Sequence, residues 1–132
     1  MFEFSSPPGT YFDAFPLHLL TTAWLDELGL RNPDARFDRR RFRPNFLIEP
    51  ERKVRGYVER SWVGRTARIG EALVKVETPV VRCVMTTLPQ EDLPKDPSVL
   101  RTVVRECGQN VGVYGSVSQP GRVRVGDPVE LV

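Results

Sequence analysis

The chain has 132 residues, with 19 basic and 17 acidic side chains, a net charge of +2, and a composition that is 40% hydrophobic and 27% charged. That is the length of one domain with apolar content enough to fold without staples, which excludes a wholly disordered chain. The near-even charge excludes a global attraction to nucleic acid, and no apolar run approaches the roughly 20 residues that span a bilayer.

The first 16 residues hold three prolines and a Pro-Pro-Gly turn, and they lack the basic and apolar regions of a secretory signal. They read as an irregular arm, 1–16, ahead of a single domain over 17–132. A helix follows. Leu17, Leu20, Trp24 and Leu28 recur at spacings of three and four, and Gly29 is placed to close the C-terminus. Thr21 or Thr22 is a fitting N-cap, in which case the helix starts later, near Ala23; both starts stay open. Arg36, Arg39, Arg40, Arg41 and Arg43 then crowd one stretch. Alternation over 41–48 predicts a strand with Arg41, Arg43 and Asn45 on one face, and Pro44 pushes Arg43 toward extended geometry and the strand toward an edge.

Residues 68–76 (RIGEALVKV) and 124–132 (RVGDPVELV) echo one another, each a short strand, a Gly-acid turn and a second strand. With VVRCVM at 80–85, VGVYGSV at 111–117 and GRVRV at 121–125, six or seven short strands result, which suits a closed or nearly closed β-barrel. Trp62 and Val125 are expected in or beside it. One clear helix interrupts the strands. Asp96 caps it, Pro97 opens it, Val99, Leu100, Val103, Val104 and Cys107 form its stripe, and Gly108 ends it. The polar loop before it, TLPQEDLPKD, is a candidate lid.

The two cysteines, Cys83 and Cys107, form no C-x-x-C pair. One disulfide between them stays open, but the reading is a cytoplasmic chain with free thiols. Cys107 falls on a buried stripe, where a thiol acts as a small hydrophobe. Cys83 follows Arg82, whose guanidinium favours the thiolate that attacks electrophiles or binds soft metals. Regular strand geometry sends the two to opposite faces, so a core cysteine is the competing reading, and only a bulge or strand end unites them. The arginine cluster is either a solvated edge or a phosphate grip, to which Asn45 adds a donor and an acceptor. His18 stands alone, which rules out multi-histidine metal sites and suggests a packed or capping role. No P-loop, G-x-G-x-x-G or G-x-S-x-G is present, and Lys53, Lys75 and Lys95 lack a distinctive context for a Schiff base.

Five segments in register resemble the MOSC domain family, named for the C-terminal part of molybdenum cofactor sulfurases and including the mitochondrial amidoxime-reducing component and its bacterial counterparts. They are PLHLLTTAWL (16–25), RFRPNFLIE (41–49), WVGRTARIGEAL (62–73), VRCVMTT (81–87) and PGRVRVGDPV (120–129), and the resemblance runs from about residue 12 to the end. It implies a β-barrel and a molybdenum–molybdopterin cofactor. It implies that Cys83 is the thiolate that binds molybdenum, and that Thr21, Thr22, Arg43, Asn45 and Arg82 hold the pterin and its phosphate. It also requires the chain to leave regular strand geometry at Cys83. Larger relatives carry a separate N-terminal domain that completes the pocket, whereas about 16 residues precede the first segment here.

Two classes of function follow from the resemblance. One is an oxidoreductase that reduces a small N-hydroxylated or other N–O substrate with electrons from a separate redox protein. The other is a non-catalytic module that binds or delivers the cofactor or a sulfur species. Three alternatives stay open for the pocket: it is half-built, a homo-oligomer or partner subunit completes it, or this short form binds something else; neither nucleic acid nor membrane is an expected partner.

Overall fold

A computed structural model describes the backbone of residues 2–4 and the full residues 17–132. Most of the arm expected over 1–16 lies outside the described residues; within it, β1 (Phe2–Phe4) pairs antiparallel with β7 (Gly121–Val123). The remaining strands are β2 (Leu17–Thr21), β3 (Phe46–Ile48), β4 (Thr66–Ile69), β5 (Ala72–Val81), β6 (Asn110–Gln119) and β8 (Val129–Leu131). They form one six-stranded sheet in the order β3-β2-β6-β5-β4-β8, antiparallel except for the β2–β3 pair. The helices are α1 (Thr22–Arg31) and α2 (Pro97–Cys107). The protein is mainly β, as expected.

The expected closed barrel is corrected to a curled half-barrel. Its two edges, β3 and β8, are each only three residues long, and no ladder joins them. Closure needs edge strands with a run of unpaired groups to offer, and three residues offer few. The 3-10 helix Val58–Trp62 packs on β2 and β6 instead, with Trp62 half-buried against the inner core as expected. Val125, in contrast, is 91% exposed.

Two hydrophobic clusters lie on the two faces of the sheet. Leu17, Leu19, Val74, Val76 and Val113 fill the concave core, while Leu20, Trp24, Leu28, Val99, Val103 and Val111 fill the core beneath the helices. Strand β2 feeds both, and all five of its residues are buried. That explains why Leu17 and Leu20 mimic a helical stripe: a strand apolar on both faces carries no alternation. The later helix start is the one observed, with the Thr21 hydroxyl accepting from the Trp24 N–H at 3.2 Å. Gly29 does not close α1, which runs on to Arg31 and is capped by Asn32.

The signals for α2 hold throughout. Asp96 accepts from the Ser98 N–H at 2.9 Å, Pro97 opens the helix and Gly108 ends it at φ 57. Only Val104 of the expected stripe turns to solvent. The echoed motifs fold differently from each other. The first is the β4–β5 hairpin; the second forms no strand ahead of its turn, β7 ending at Val123 just before it, and contributes only β8, which pairs with β4. The copies then meet, the Gly70 N–H donating to the Pro128 carbonyl at 3.2 Å. A Cβ at Gly70 would come within 2.5 Å of the Asp127 carboxylate, so this crossing requires glycine.

Candidate functional site

Strand β5 ends at Val81, and the chain leaves regular geometry there. The Arg82 N–H donates to the Gln109 carbonyl at 2.8 Å, and Gln109 Nε2 donates back to the Arg82 carbonyl at 2.7 Å. Cys83 then heads the 3-10 turn Val84–Thr87, its carbonyl accepting from Thr86 N–H at 3.2 Å and Thr86 Oγ1 at 3.0 Å. The consequence is a division of faces: Arg82 turns inward and the free thiol of Cys83 is exposed.

Arg82 has little left to offer a ligand. Its Nε donates to the Val111 carbonyl at 3.1 Å, its Nη1 to the Phe42 carbonyl at 2.9 Å, and its Nη2 lies 2.7 Å from His18 Nε2. The guanidinium also stacks over the Phe42 ring at 5.2 Å. Burial pulls its pKa down to about 10.

The arginine cluster likewise separates into inner and outer members. Arg41 is buried, donating to the carbonyls of Arg36 (2.9 Å), Thr86 (3.2 Å) and Pro94 (2.9 Å). The expected strand over 41–48 is therefore corrected: residues Arg39–Arg41 form a 3-10 turn, and only Phe46–Ile48 is strand. Arg43 is not extended either. Its φ is 53°, and its N–H donates to the Arg39 carbonyl at 2.9 Å, closing that turn. A left-handed non-glycine residue is uncommon and recurs at ligand clamps.

Arg39 and Arg43 are exposed, and among the described residues neither side chain has a carboxylate partner. With Arg40, Pro44, Asn45, Leu47 and Gln90 they line a cleft of about 320 Å³. Arg40 is committed to Asp38 at 3.0 Å and to Glu91 and Asp92 at 2.7 Å each, while Arg36 reaches Asp92 at 3.4 Å. Those ion pairs fasten the expected lid to the arginine segment from outside, as Arg41 does from inside.

Asn45 is half committed. Its Oδ1 accepts from the His18 N–H at 2.8 Å and its own N–H donates to the His18 carbonyl at 2.9 Å, leaving its amide N–H groups for the cleft. The two threonines part company. Thr21 is fully buried, and its hydroxyl and N–H both donate to the Glu59 carboxylate, the hydroxyl at 2.7 Å. Burial pushes the Glu59 carboxyl up. Thr22 lines an adjoining cleft of about 620 Å³ that shares Arg39, Arg40 and Leu47 with the first. Cys107 is buried on α2, where burial raises its thiol pKa.

Sequence reasoning left His18, Arg39, Gln90 and Glu59 without a place in the site. Arg39 was within reach, standing in the same basic run as Arg43. His18 was not, because its importance comes from residues 43, 45 and 82 meeting around it. Burial and the Arg82 charge hold its pKa down at about 3, so the imidazole is neutral.

Three comparisons with known proteins bear on this arrangement. A profile of the MOSC domain family matches residues 9–130. The chain is 31% identical over 135 residues to mitochondrial amidoxime-reducing component 1 of Mus musculus, covering 92% of this chain and 38% of that protein. Among solved structures it resembles YiiM from Geobacillus stearothermophilus, with a TM-score of 0.63 and 21% identity over 89% of this chain and 54% of that one. YiiM from Escherichia coli is similar at a TM-score of 0.62 and 24% identity, with the same coverage. The chain thus spans little more than a third of the curated relative and about half of each solved structure.

Proposed function

Because the chain belongs to the MOSC domain family, we propose that it binds a molybdenum–molybdopterin cofactor and reduces small N-hydroxylated or related N–O compounds. The observation that carries this reading is an exposed, free thiol at the end of β5, tied through Arg82 and His18 to a cleft with two uncommitted guanidinium groups.

The donor set fits such a group. Cys83 is the soft thiolate ligand for the metal. Arg43 and Arg39 are free to grip a phosphate with parallel charged hydrogen bonds, and the Asn45 amide and Gln90 suit the polar edges of a pterin. Thr22 stands at the rim of the adjoining cleft. Among the described residues no cluster of three or more His, Cys, Asp or Glu side chains is present, and Cys83 is the thiolate that this reading offers the metal. When bound, the cofactor supplies the redox chemistry, and the protein positions it. Arg82, kept beneath Cys83 by its three acceptors, adds positive charge behind the thiolate without reaching into the cleft. Electrons come from a separate redox protein.

A second reading has support of its own. Val81, Val84 and Met85 beside Cys83 are all exposed. That apolar rim suits a module that carries the cofactor or a sulfur species to a partner, or one completed by a partner subunit or second copy. One assay separates the two. Protein loaded with cofactor is supplied with a chemical or protein electron donor and an amidoxime or hydroxylamine. Turnover by the wild type and none by Cys83→Ala is expected; cofactor bound by the wild type without turnover from any donor leaves the carrier reading standing instead.

Among the described residues no helix is long and apolar enough to cross a membrane.

A further inference from the structure

Helix α1 has two unlike faces. Ala23, Trp24, Glu27 and Leu28 are buried, while Thr22 and the residues three and four positions after it, Leu25 and Asp26, line the larger of the two clefts. Phe37, just ahead of the 3-10 turn, and Leu47 of β3 add an apolar wall. Charge is divided unevenly between the clefts. Arg39, Arg40 and Arg43 line the smaller one and no carboxylate does, whereas Asp26, Asp38 and Glu91 all line the larger. Arg39, Arg40 and Leu47 belong to both. Of the three carboxylates, Asp38 and Glu91 are spent on Arg40 at 3.0 and 2.7 Å. Asp26 is exposed and has no cationic partner among the described residues, although it shares its cleft with Arg39.

We propose that the larger cleft binds an organic cation with an apolar body, of the arylalkylammonium class, and that Asp26 selects its charge. The ammonium donates to the Asp26 carboxylate and to the Thr22 hydroxyl, which accepts as well as donates. The carbon body lies against Leu25, Phe37 and Leu47, where its burial adds affinity without regard to charge. An anion fits this cleft poorly, because the one guanidinium free to meet it, Arg39, also serves the smaller cleft. A phosphate bound in the smaller cleft engages Arg39 and cancels its charge. Asp26 is then the uncompensated charge of the larger cleft, so the anion of one cleft and the cation of the other bind with positive coupling. Between exposed charges such a coupling is worth about threefold to fivefold in affinity. In the proposed reaction this selects N–O compounds that carry a positive charge beside an apolar body. The inference rests on that reading for the occupant of the smaller cleft, and its test separates the two.

The full chain, labelled with nitrogen-15, is titrated at constant low ionic strength with three probes: benzylammonium, its neutral counterpart benzyl alcohol, and inorganic phosphate. Benzylammonium is expected to shift the amides of residues 22–26 and 37–40, and to bind about threefold to fivefold more tightly than benzyl alcohol. Saturating phosphate should tighten benzylammonium by about threefold to fivefold again, and benzylammonium should tighten phosphate by the same factor, as linkage requires. Asp26→Asn is a change on an exposed helix face. It should erase the preference for the charged probe and leave phosphate affinity within about twofold of wild type. Equal binding of the two benzyl probes, or a preference that survives in Asp26→Asn, overturns the proposal. Phosphate that weakens benzylammonium, or leaves it unaltered, overturns the coupling through Arg39. Phosphate binding without benzylammonium binding removes the cation site and keeps the reading of the smaller cleft; the converse keeps the cation site and removes that reading. Binding of neither probe overturns both. Should Asp26→Asn not fold, the wild-type preference and its response to phosphate decide.

Discussion

Cys83 lies two positions past the end of β5, and Cys107 is the last residue of α2. At Cys107 the helix keeps its period, so the side chain stays on the apolar stripe, shut in against Trp24 and Tyr57. At Cys83 the strand gives way to a 3-10 turn, and the thiol stands in solvent beside a half-buried arginine. The side chain is the same in both places. What differs is whether the backbone continues its regular structure or breaks it, and the chemistry available to each sulfur follows from that.

The largest effect that this contrast predicts is in alkylation. Folded protein treated with iodoacetamide near neutral pH should react at Cys83, with Cys107 protected by the free energy of opening the helix core. A protection of about 4 kcal/mol is roughly a thousandfold in rate, readable by peptide mass spectrometry. Comparable rates would mean that α2 opens readily or that Cys83 is covered.

The same inside–outside contrast divides the arginines. Arg82→Ala leaves two backbone carbonyls and a buried imidazole without their donor, and should cost about 3 kcal/mol or more in urea unfolding. Arg43→Ala removes an exposed side chain with no carboxylate partner and should stay within about 0.5 kcal/mol of wild type. Its effect belongs in phosphate affinity, a loss of about 1.5–3 kcal/mol, or roughly tenfold to hundredfold. A destabilised Arg43→Ala, or an Arg82→Ala as stable as the wild type, would reverse the assignment.

His18 gives a smaller, pH-dependent signature. Its pKa is about 3 in the folded protein against 6.5 for the ordinary group, so the unfolded chain binds the extra proton between those values. Its neutral form therefore contributes stability that is present above about pH 6.5 and lost as pH falls toward about 3. Glu59, whose carboxyl is pushed up by burial, acts in the opposite direction as pH rises above its ordinary value. Subtracting the stability profile of His18→Phe from that of wild type isolates the histidine. A difference that does not vary across that window would mean the imidazole is exposed to protons.

Legibility in the sequence followed how local each signal was. Helix α2 announces itself through Asp96, Pro97, its stripe and Gly108, all within a dozen positions, and it forms as read. Strand β2 does not, because burial on both faces erases alternation and leaves Leu17 and Leu20 at a helical spacing. Barrel closure failed for a related reason: strand count is local, but whether the edges are long enough to meet is not. At the site, the family segments single out Cys83, Arg43 and Asn45, and these line the exposed thiol and the cleft. The roles of Arg82 and Thr21 were harder to read. Both are polar residues beside a candidate site, yet their partners, His18 and Glu59, lie 64 and 38 positions away in the chain. Nothing in the sequence near Arg82 indicates that its guanidinium is spent on backbone carbonyls.

The account turns on Cys83 as the metal's anchor, and the direct measurement is molybdenum and pterin content after purification from cells that make the cofactor. The wild type and Arg82→Lys serve with Cys83→Ala as a set, each checked for folding by circular dichroism. The account predicts molybdenum approaching one atom per chain in the wild type and none above background in Cys83→Ala. Molybdenum retained by Cys83→Ala at the wild-type level, or a folded wild type that holds neither metal nor pterin, would contradict it.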